Sequence, residues 1–113
     1  MTVWVKEIRE DELASVEMMP QGMWKRYVSQ EPGGRGMIFG MGSLAPGEEA
    51  GHVHEDEELF YVLKGSGEAT WELDGETFRA DLKPGVAFYK TSNIYHTMHN
   101  TGEVPLVGVF FKV

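Results

Sequence analysis

The sequence predicts an all-β domain, a sandwich or a barrel, and three observations favour this class. Short apolar runs alternate with turn residues, and 14 glycines lie scattered among these runs. A two-residue hairpin turn, Asp74-Gly75, separates two alternating segments. No segment longer than about ten residues carries a convincing helical pattern. The 113 residues suffice for one modest core, so a single domain spanning residues 1–113 is expected.

The first half of the chain contains several predicted elements. VWVKEI (residues 3–8) is expected to form a short strand, whose apolar residues suggest pairing across a dimer, and residues 10–17 are expected to form a helical turn or two. Further strands are predicted at Met23–Ser29 and at residues 36–45. Turn chemistry predicts a loop at residues 31–36 and a turn at residues 45–49.

The hairpin around Asp74-Gly75 is the clearest local signal. Both residues tolerate the positive φ that a type I′ turn requires. The turn predicts pairing of Trp71 with Phe78 on an apolar face and of Thr70 with Arg79 on a polar face. Beyond the hairpin, Pro84-Gly85 predicts another turn. Strands are then expected at residues 86–90, 95–100 and 105–113.

Composition excludes several classes of function. The net charge of −8 opposes binding to nucleic acid or to an anionic membrane surface. Cysteine is absent, so disulfides and thiolate ligands are excluded. The N-terminus lacks the pattern of a signal peptide, and no apolar stretch reaches membrane-spanning length. A cytosolic protein with a small-molecule substrate is expected.

The stretch GHVHEDEELFYVL (residues 51–63) carries a candidate metal site. His52 and His54 lie two apart, so on a strand both imidazoles project from one face. Glu58 follows four residues after His54 and can return its carboxylate to the same place. His96, on a later strand, is the fourth candidate. Three imidazoles and one carboxylate suit one divalent transition metal (Fe, Mn, Ni, Zn, Co or Cu) and leave about two open positions.

These residues resemble the two sequence motifs of the cupin family. The first motif covers about residues 47–65, with Gly47, His52, His54, Glu58 and Gly65 in register. The second covers about residues 85–100, with Gly85, His96 and Asn100 in place. Departures lie in turns: four residues separate Gly47 from His52 where the family usually has five, and Thr91 and Asn93 replace the usual Pro and Gly.

The resemblance implies a cupin-type double-stranded β-helix, or jelly-roll barrel, with a short N-terminal extension. It also implies a metal ion inside the barrel and, commonly, a homodimer. The four side chains named above would be the ligands.

Several neighbouring polar residues have competing interpretations. Glu57 is a rival carboxylate for Glu58, whereas Glu48, Glu49, Glu55 and Asp56 are most simply a solvated run of charge. His99 lies three residues after His96 and so faces the opposite way. Asn100 either provides turn chemistry at the end of its strand or hydrogen-bonds to a metal ligand.

Strand parity also predicts residues around the metal. Phe60, Val62 and Met98 share parity with Glu58 or His96 and are expected to face inward, as core or as pocket lining. Val109 and Phe111 are expected to do the same, since Lys112 would need the outside. Candidate specificity groups are Arg26, Arg35, Tyr89, Lys90 and Tyr95.

Three functions fit this pattern. The first is a dioxygenase-like oxidoreductase acting on a small oxygen-bearing organic substrate bound to the metal. The second is a Lewis-acid isomerase, decarboxylase or lyase acting on a sugar acid or another small acid, with Tyr89 or Tyr95 as acid or base. The third is a non-catalytic module that binds a metal or small ligand.

Overall fold

The computed structural model describes residues 3–15, 21–29, 36–53 and 56–113, without the side chains of Ser15 and His52. In this part of the chain nine strands form two antiparallel sheets, which confirms the all-β prediction. The strands are β1 (Met23–Ser29), β2 (Ile38–Leu44), β3 (Glu49–His52), β4 (Glu58–Lys64), β5 (Gly67–Leu73), β6 (Glu76–Leu82), β7 (Ala87–Lys90), β8 (His96–Asn100) and β9 (Leu106–Lys112).

The two sheets form a jelly roll that encloses the main hydrophobic core. One sheet has the order β1-β2-β9-β4-β7, and the other has the order β3-β8-β5-β6. Non-consecutive strands are therefore neighbours, and β4 and β8, which lie in different sheets, bring the two predicted motifs together. The main core contains Leu44, Phe60, Val62, Met98 and Phe110, each almost fully buried.

The hairpin of β5 and β6 has the predicted register. Trp71 is opposite Phe78 and Thr70 is opposite Arg79. Asp74 and Gly75 have φ values of 52° and 80°, the positive values that a type I′ turn requires. The Trp71 and Phe78 rings stack with centroids 5.9 Å apart. Local turn chemistry therefore fixed this part of the fold.

The remaining predictions for strands and turns are confirmed except at the N-terminus. Residues 3–9 form no strand, and Val3 and Val5 are almost fully exposed. The chain instead forms a 3₁₀ helix at Glu10–Ser15, the predicted helical turn, and its Leu13 packs against Met41 and Val107. An alternating pattern produces a strand only where another strand is available for pairing, and residues 3–8 have no such neighbour among the described residues. The predicted loop at residues 31–36 lies, apart from Gly36, outside the described residues.

The N-terminal segment covers the outer face of the five-stranded sheet. Leu13, Met41 and Val107 form a second buried cluster, with Ile8, Tyr27 and Val109 packed against it. Glu12 holds this segment in place, because its carboxylate accepts hydrogen bonds from the Arg9 backbone N–H and the Tyr27 hydroxyl and pairs with Lys6. The first half of strand β9 is consequently buried on both faces. No helix among the described residues is long and apolar enough to cross a membrane.

Candidate metal centre

Glu58 and His96 meet between the two sheets. Glu58 begins β4 in one sheet, His96 begins β8 in the other, and their side chains are only 4% and 1% exposed. Glu58 Oε2 lies 3.7 Å from His96 Nε2, which is longer than a hydrogen bond. Two ligands of one ion, each at about 2.0–2.2 Å from it, lie less than about 4.4 Å apart. The separation therefore suits a shared ion.

The orientation of the His96 ring also fits a metal ligand. His96 Nδ1 lies 3.2 Å from the backbone carbonyl oxygen of Ile94. A carbonyl oxygen can only accept, so Nδ1 carries the proton in this hydrogen bond, and in the neutral form of the ring the lone pair lies on Nε2, on the side of Glu58. An imidazole nitrogen and a carboxylate oxygen are both groups that transition metals bind. The donor set is thus compatible with a metal.

The other two predicted ligands are only partly described. The backbone of His52 is directly opposite His96 in the ladder between β3 and β8. The His52 side chain and the whole of His54 lie outside the described residues. Within the described ranges no three His, Asp or Glu side chains converge on one point. The complete four-ligand set therefore stays a prediction.

Two lysines flank Glu58 on its own sheet. Lys90 of β7 is opposite Glu58 on one side, and Lys112 of β9 is opposite it on the other. Lys90 is 3% exposed, and its Nζ donates a hydrogen bond of 2.5 Å to the backbone carbonyl of Asp56. Burial raises the pKa of Glu58, while Lys112 and Lys90 oppose that rise. Burial lowers the pKa of Lys90, while Glu58 and Asp56 oppose that fall.

An aromatic layer covers His96. The Phe88 ring stacks on the His96 imidazole at 5.9 Å between centroids, and Trp71 lies 5.8 Å from Phe88. Trp71 is also directly opposite His96 in the ladder between β5 and β8. These rings exclude water from one side of the candidate centre. Phe88 was not among the predicted site residues. Strand parity could have indicated it, because Phe88 and Lys90 share one face of β7.

A cavity of about 390 Å³ lies against this aromatic layer. Its lining is mainly apolar, and among the described residues Lys90 is the basic one that lines it. The cavity shares Phe88, Trp71 and Lys90 with the surroundings of Glu58 and His96, so it lies next to the candidate centre. The lining residues are Trp71, Leu73, Ala80, Ala87, Phe88, Tyr89, Lys90, Thr91 and Ile94.

Three of the four predicted pocket residues do face inward, but as core. Phe60, Val62 and Met98 are buried in the main cluster, and other residues line the cavity. The prediction for Phe111 is wrong, because Phe111 is 39% exposed and contacts Phe39 on the outer face.

The prediction for Phe111 is wrong because the even-numbered residues of β9, and not the odd-numbered ones, face inward. Phe110 faces the core, while Val109 packs on the outer cluster. Lys112 shares the inner face with Phe110, and its Nζ lies 5.6 Å from the Phe110 ring centroid. A lysine at the end of a strand can reach the rim of a barrel, so it did not require the outer face.

The other polar candidates have different positions. Tyr89 is exposed and its hydroxyl donates a hydrogen bond to the Glu57 carboxylate, which raises the pKa of Tyr89. Tyr95 is also exposed. Asn100 is buried and its side chain bonds to backbone groups: it donates to the carbonyls of Leu44 and Val104 and accepts from the Gly102 N–H. Its role is therefore the turn chemistry considered above.

The motif glycines are required by the backbone. Gly47, Gly65 and Gly85 have φ values of 84°, 85° and 92°, a region that glycine adopts readily and other residues rarely. Asn93, which replaces a usual glycine, has a φ of 62°. Asparagine tolerates left-handed backbone better than most residues. The substitution therefore preserves the turn between β7 and β8.

Comparison with known families agrees with this geometry. A family model described as a cupin domain matches residues 40–111. The chain belongs to the cupin family. Cupins commonly bind a metal, and both motif segments lie largely or wholly within the matched region. No curated protein matches the sequence significantly.

Solved cupin-like structures share the fold at low sequence identity. A protein with a double-stranded β-helix domain from Klebsiella pneumoniae is 18% identical, with a TM-score of 0.76 over 97% of this chain and 90% of that one. A Cupin 2 conserved barrel domain protein from Salinispora arenicola is 18% identical, with a TM-score of 0.74 over 96% and 88%. An oxalate oxidase is 16% identical, with a TM-score of 0.72 over 88% and 56%.

Proposed function

We propose that this cupin is a metal-dependent enzyme that oxidises a small, oxygen-bearing organic substrate with dioxygen. The observation that carries the proposal is the buried pair of Glu58 Oε2 and His96 Nε2, held 3.7 Å apart by strands of different sheets. Burying a carboxylate is costly unless it is compensated by charge or by a metal ion. Buried titratable groups with a charged partner and a shifted pKa are typical of functional sites.

The proposed ligands are His52, His54, Glu58 and His96. Support for His52 comes from its backbone position opposite His96, and support for His54 comes from the sequence motif alone. Imidazole and carboxylate together suit Fe, Mn, Ni, Zn, Co or Cu better than Ca or Mg. When bound, a redox-active ion would supply the one-electron chemistry that allows dioxygen to react with an organic molecule.

The chain itself would position the substrate and exclude water. Phe88 stacks on the His96 imidazole, and Phe88 and Trp71 also line the adjacent cavity, so a substrate bound there would lie in an apolar environment. The Ile94 carbonyl fixes the His96 ring through Nδ1. Lys90 and Lys112 compensate the charge of Glu58. These contacts form a preorganised site on rigid strands.

The oxidase reaction is favoured over Lewis-acid chemistry by the position of the tyrosines. Isomerase or lyase chemistry requires a general acid or base beside the substrate. The Tyr89 hydroxyl is bonded to Glu57, and its raised pKa makes loss of its proton less favourable. The similarity of fold to an oxalate oxidase supports the same preference.

The decisive experiment measures metal content and dioxygen consumption on protein purified without a metal-affinity tag. We expect about one transition-metal ion per chain and dioxygen uptake with one or more members of a panel of small organic acids and enols. Turnover that continues without dioxygen would support the Lewis-acid alternative instead. Protein that binds no transition metal after incubation with each candidate ion would contradict both.

The assembly and location stay predictions. A homodimer is expected from the family, and light scattering should give twice the mass of one chain. A mass of one chain at micromolar concentration would contradict it. Fractionation of cells should recover the protein in the cytosol, and recovery with membranes would contradict that location.

A further inference from the structure

We propose that Lys90 recognises a carboxylate group on the substrate, and that the substrate joins this carboxylate to an apolar, ring-sized body. This inference rests on the proposed function, because it concerns the cavity beside the same candidate centre. It names a substrate class and a specificity residue.

The first argument is the composition of the cavity. Trp71, Leu73, Phe88 and Ile94 present aromatic and aliphatic surface, while Lys90 is the basic residue of the lining. Ligand sites typically combine an apolar lining with a few polar groups that fix orientation. At about 390 Å³, the cavity has room for a single-ring compound.

The second argument is the placement of the Lys90 ammonium group. Lys90 is almost fully buried, yet it lines the cavity and is opposite Glu58. The hydrogen bond that Nζ donates to the backbone carbonyl of Asp56 fixes the position of the ammonium group. An ammonium group carries three N–H donors, so it can serve more than one acceptor at once. Hydrogen bonds between an ammonium and a carboxylate are stronger than neutral ones, particularly in a buried site.

The third argument is the balance of charge. Among the described residues, Lys112 and Lys90 act on Glu58 as positive charges and Asp56 acts on it as a negative one. A divalent ion would add two further positive charges to this region. An anionic substrate would offset part of that charge, whereas a cationic one would be repelled.

The test compares phenylacetate with 2-phenylacetamide, which has nearly the same shape but no charge. Binding is followed by NMR through the indole N–H of Trp71, which lines the cavity. The indole of Trp24 is the internal control, because it donates to the Gln21 carbonyl and is not part of the lining. We expect the wild-type protein to bind phenylacetate about ten-fold more tightly than the amide and to shift Trp71 rather than Trp24.

The variant Lys90→Gln keeps a donor for the Asp56 carbonyl but removes the charge. It should lower phenylacetate affinity about ten-fold and leave binding of the amide within about two-fold. Lys64→Gln is the matched control, because Lys64 is exposed, pairs with Glu10 and does not line the cavity, and it should keep the preference. Equal binding of the two probes to the wild type, or an unchanged preference in Lys90→Gln, would overturn the proposal.

Each titration is done on protein as purified and on protein stripped of metal, with metal content measured on every sample. A wild-type protein that binds no metal refutes the proposed function, while the titration of the stripped form still decides the role of Lys90. If Lys90→Gln does not fold, the two probes on the wild type decide alone. A Trp71 shift with phenylacetate that exceeds the shift with the amide supports the proposal, and equal shifts refute it.

Discussion

The Glu58 carboxylate lies 3.7 Å from the His96 imidazole although the two residues begin strands of different sheets. This contact is possible because β4 and β8 both start at the same end of the jelly roll. It joins the two sequence motifs of the cupin family in one buried place. The candidate centre therefore forms only when the two sheets have packed against each other in the folded barrel.

Replacing His96 should remove the metal, whereas replacing His99 should not. His96 directs Nε2 at Glu58, while His99 lies on the opposite face of β8, beside Glu68 of β5 in the ladder. We expect His96→Ala to lower metal content at least about ten-fold and His99→Ala to leave it unchanged. Elemental analysis of both variants, with circular dichroism as the check on folding, decides. Metal retained by His96→Ala but lost by His99→Ala would reverse the assignment.

Leu13 should be needed for stability even though it lies outside the barrel. Its side chain is 2% exposed and packs against Met41 and Val107. Leu13→Ala should lower the free energy of unfolding by about 2–4 kcal/mol. Leu63→Ala, at a site that is 47% exposed, is the control and should change it by less than about 0.5 kcal/mol. Urea titrations measure both, and equal effects would show that the N-terminal segment is not docked.

The Glu12 contacts should make stability depend on pH in the acid range. The hydrogen bond from Lys6, followed by that from the Arg9 backbone, lowers the pKa of Glu12 to about 2. A lowered pKa means that the folded state binds fewer protons than the unfolded one, so the contribution is present above pH 4.5 and is lost as the pH falls toward 2.

The variant Glu12→Gln tests this dependence. Its melting temperature should lie below that of the wild type at pH 6, and the gap should close between pH 4.5 and pH 2. Glu103→Gln, in an exposed turn, is the control and should show no such closing gap. A gap that is constant with pH would show that the carboxylate charge is not responsible.

Asn100 should be important for folding rather than for metal binding. Its side chain makes three hydrogen bonds to backbone groups of Leu44, Gly102 and Val104. Asn100→Ala should lower the free energy of unfolding by about 2–4 kcal/mol, because buried backbone groups lose their partners. Asn93→Gly, at an exposed turn with positive φ, should change it by less than about 1 kcal/mol. A folded Asn100→Ala protein with reduced metal content would show instead that Asn100 contributes to metal binding.

Part of the candidate site was predictable from the sequence, because it depends on short-range patterns. The pair of Glu58 and His96 followed from their positions in two motifs, and the structure places the two side chains 3.7 Å apart, while metal binding by them stays a prediction. The positions of His52 and His54 in the site stay predictions. Lys90 was one of five candidate specificity groups, and nothing local distinguished it from Arg26 or Tyr95. Its place opposite Glu58 depends on pairing between distant strands.

The sequence by itself determined the β class, most strand bounds and the hairpin register at Asp74-Gly75, because turn geometry and strand parity act between neighbouring residues. Only the tertiary structure decided which face of β9 points inward. That strand is apolar on both faces, since the barrel core covers Phe110 while the N-terminal segment covers Val107. Alternation identifies an inner face only when the outer face is exposed to water. Here Leu13 and its neighbours cover the outer face as well, so the two faces of β9 look alike in the sequence. Packing between distant segments therefore decided which residues of β9 face inward.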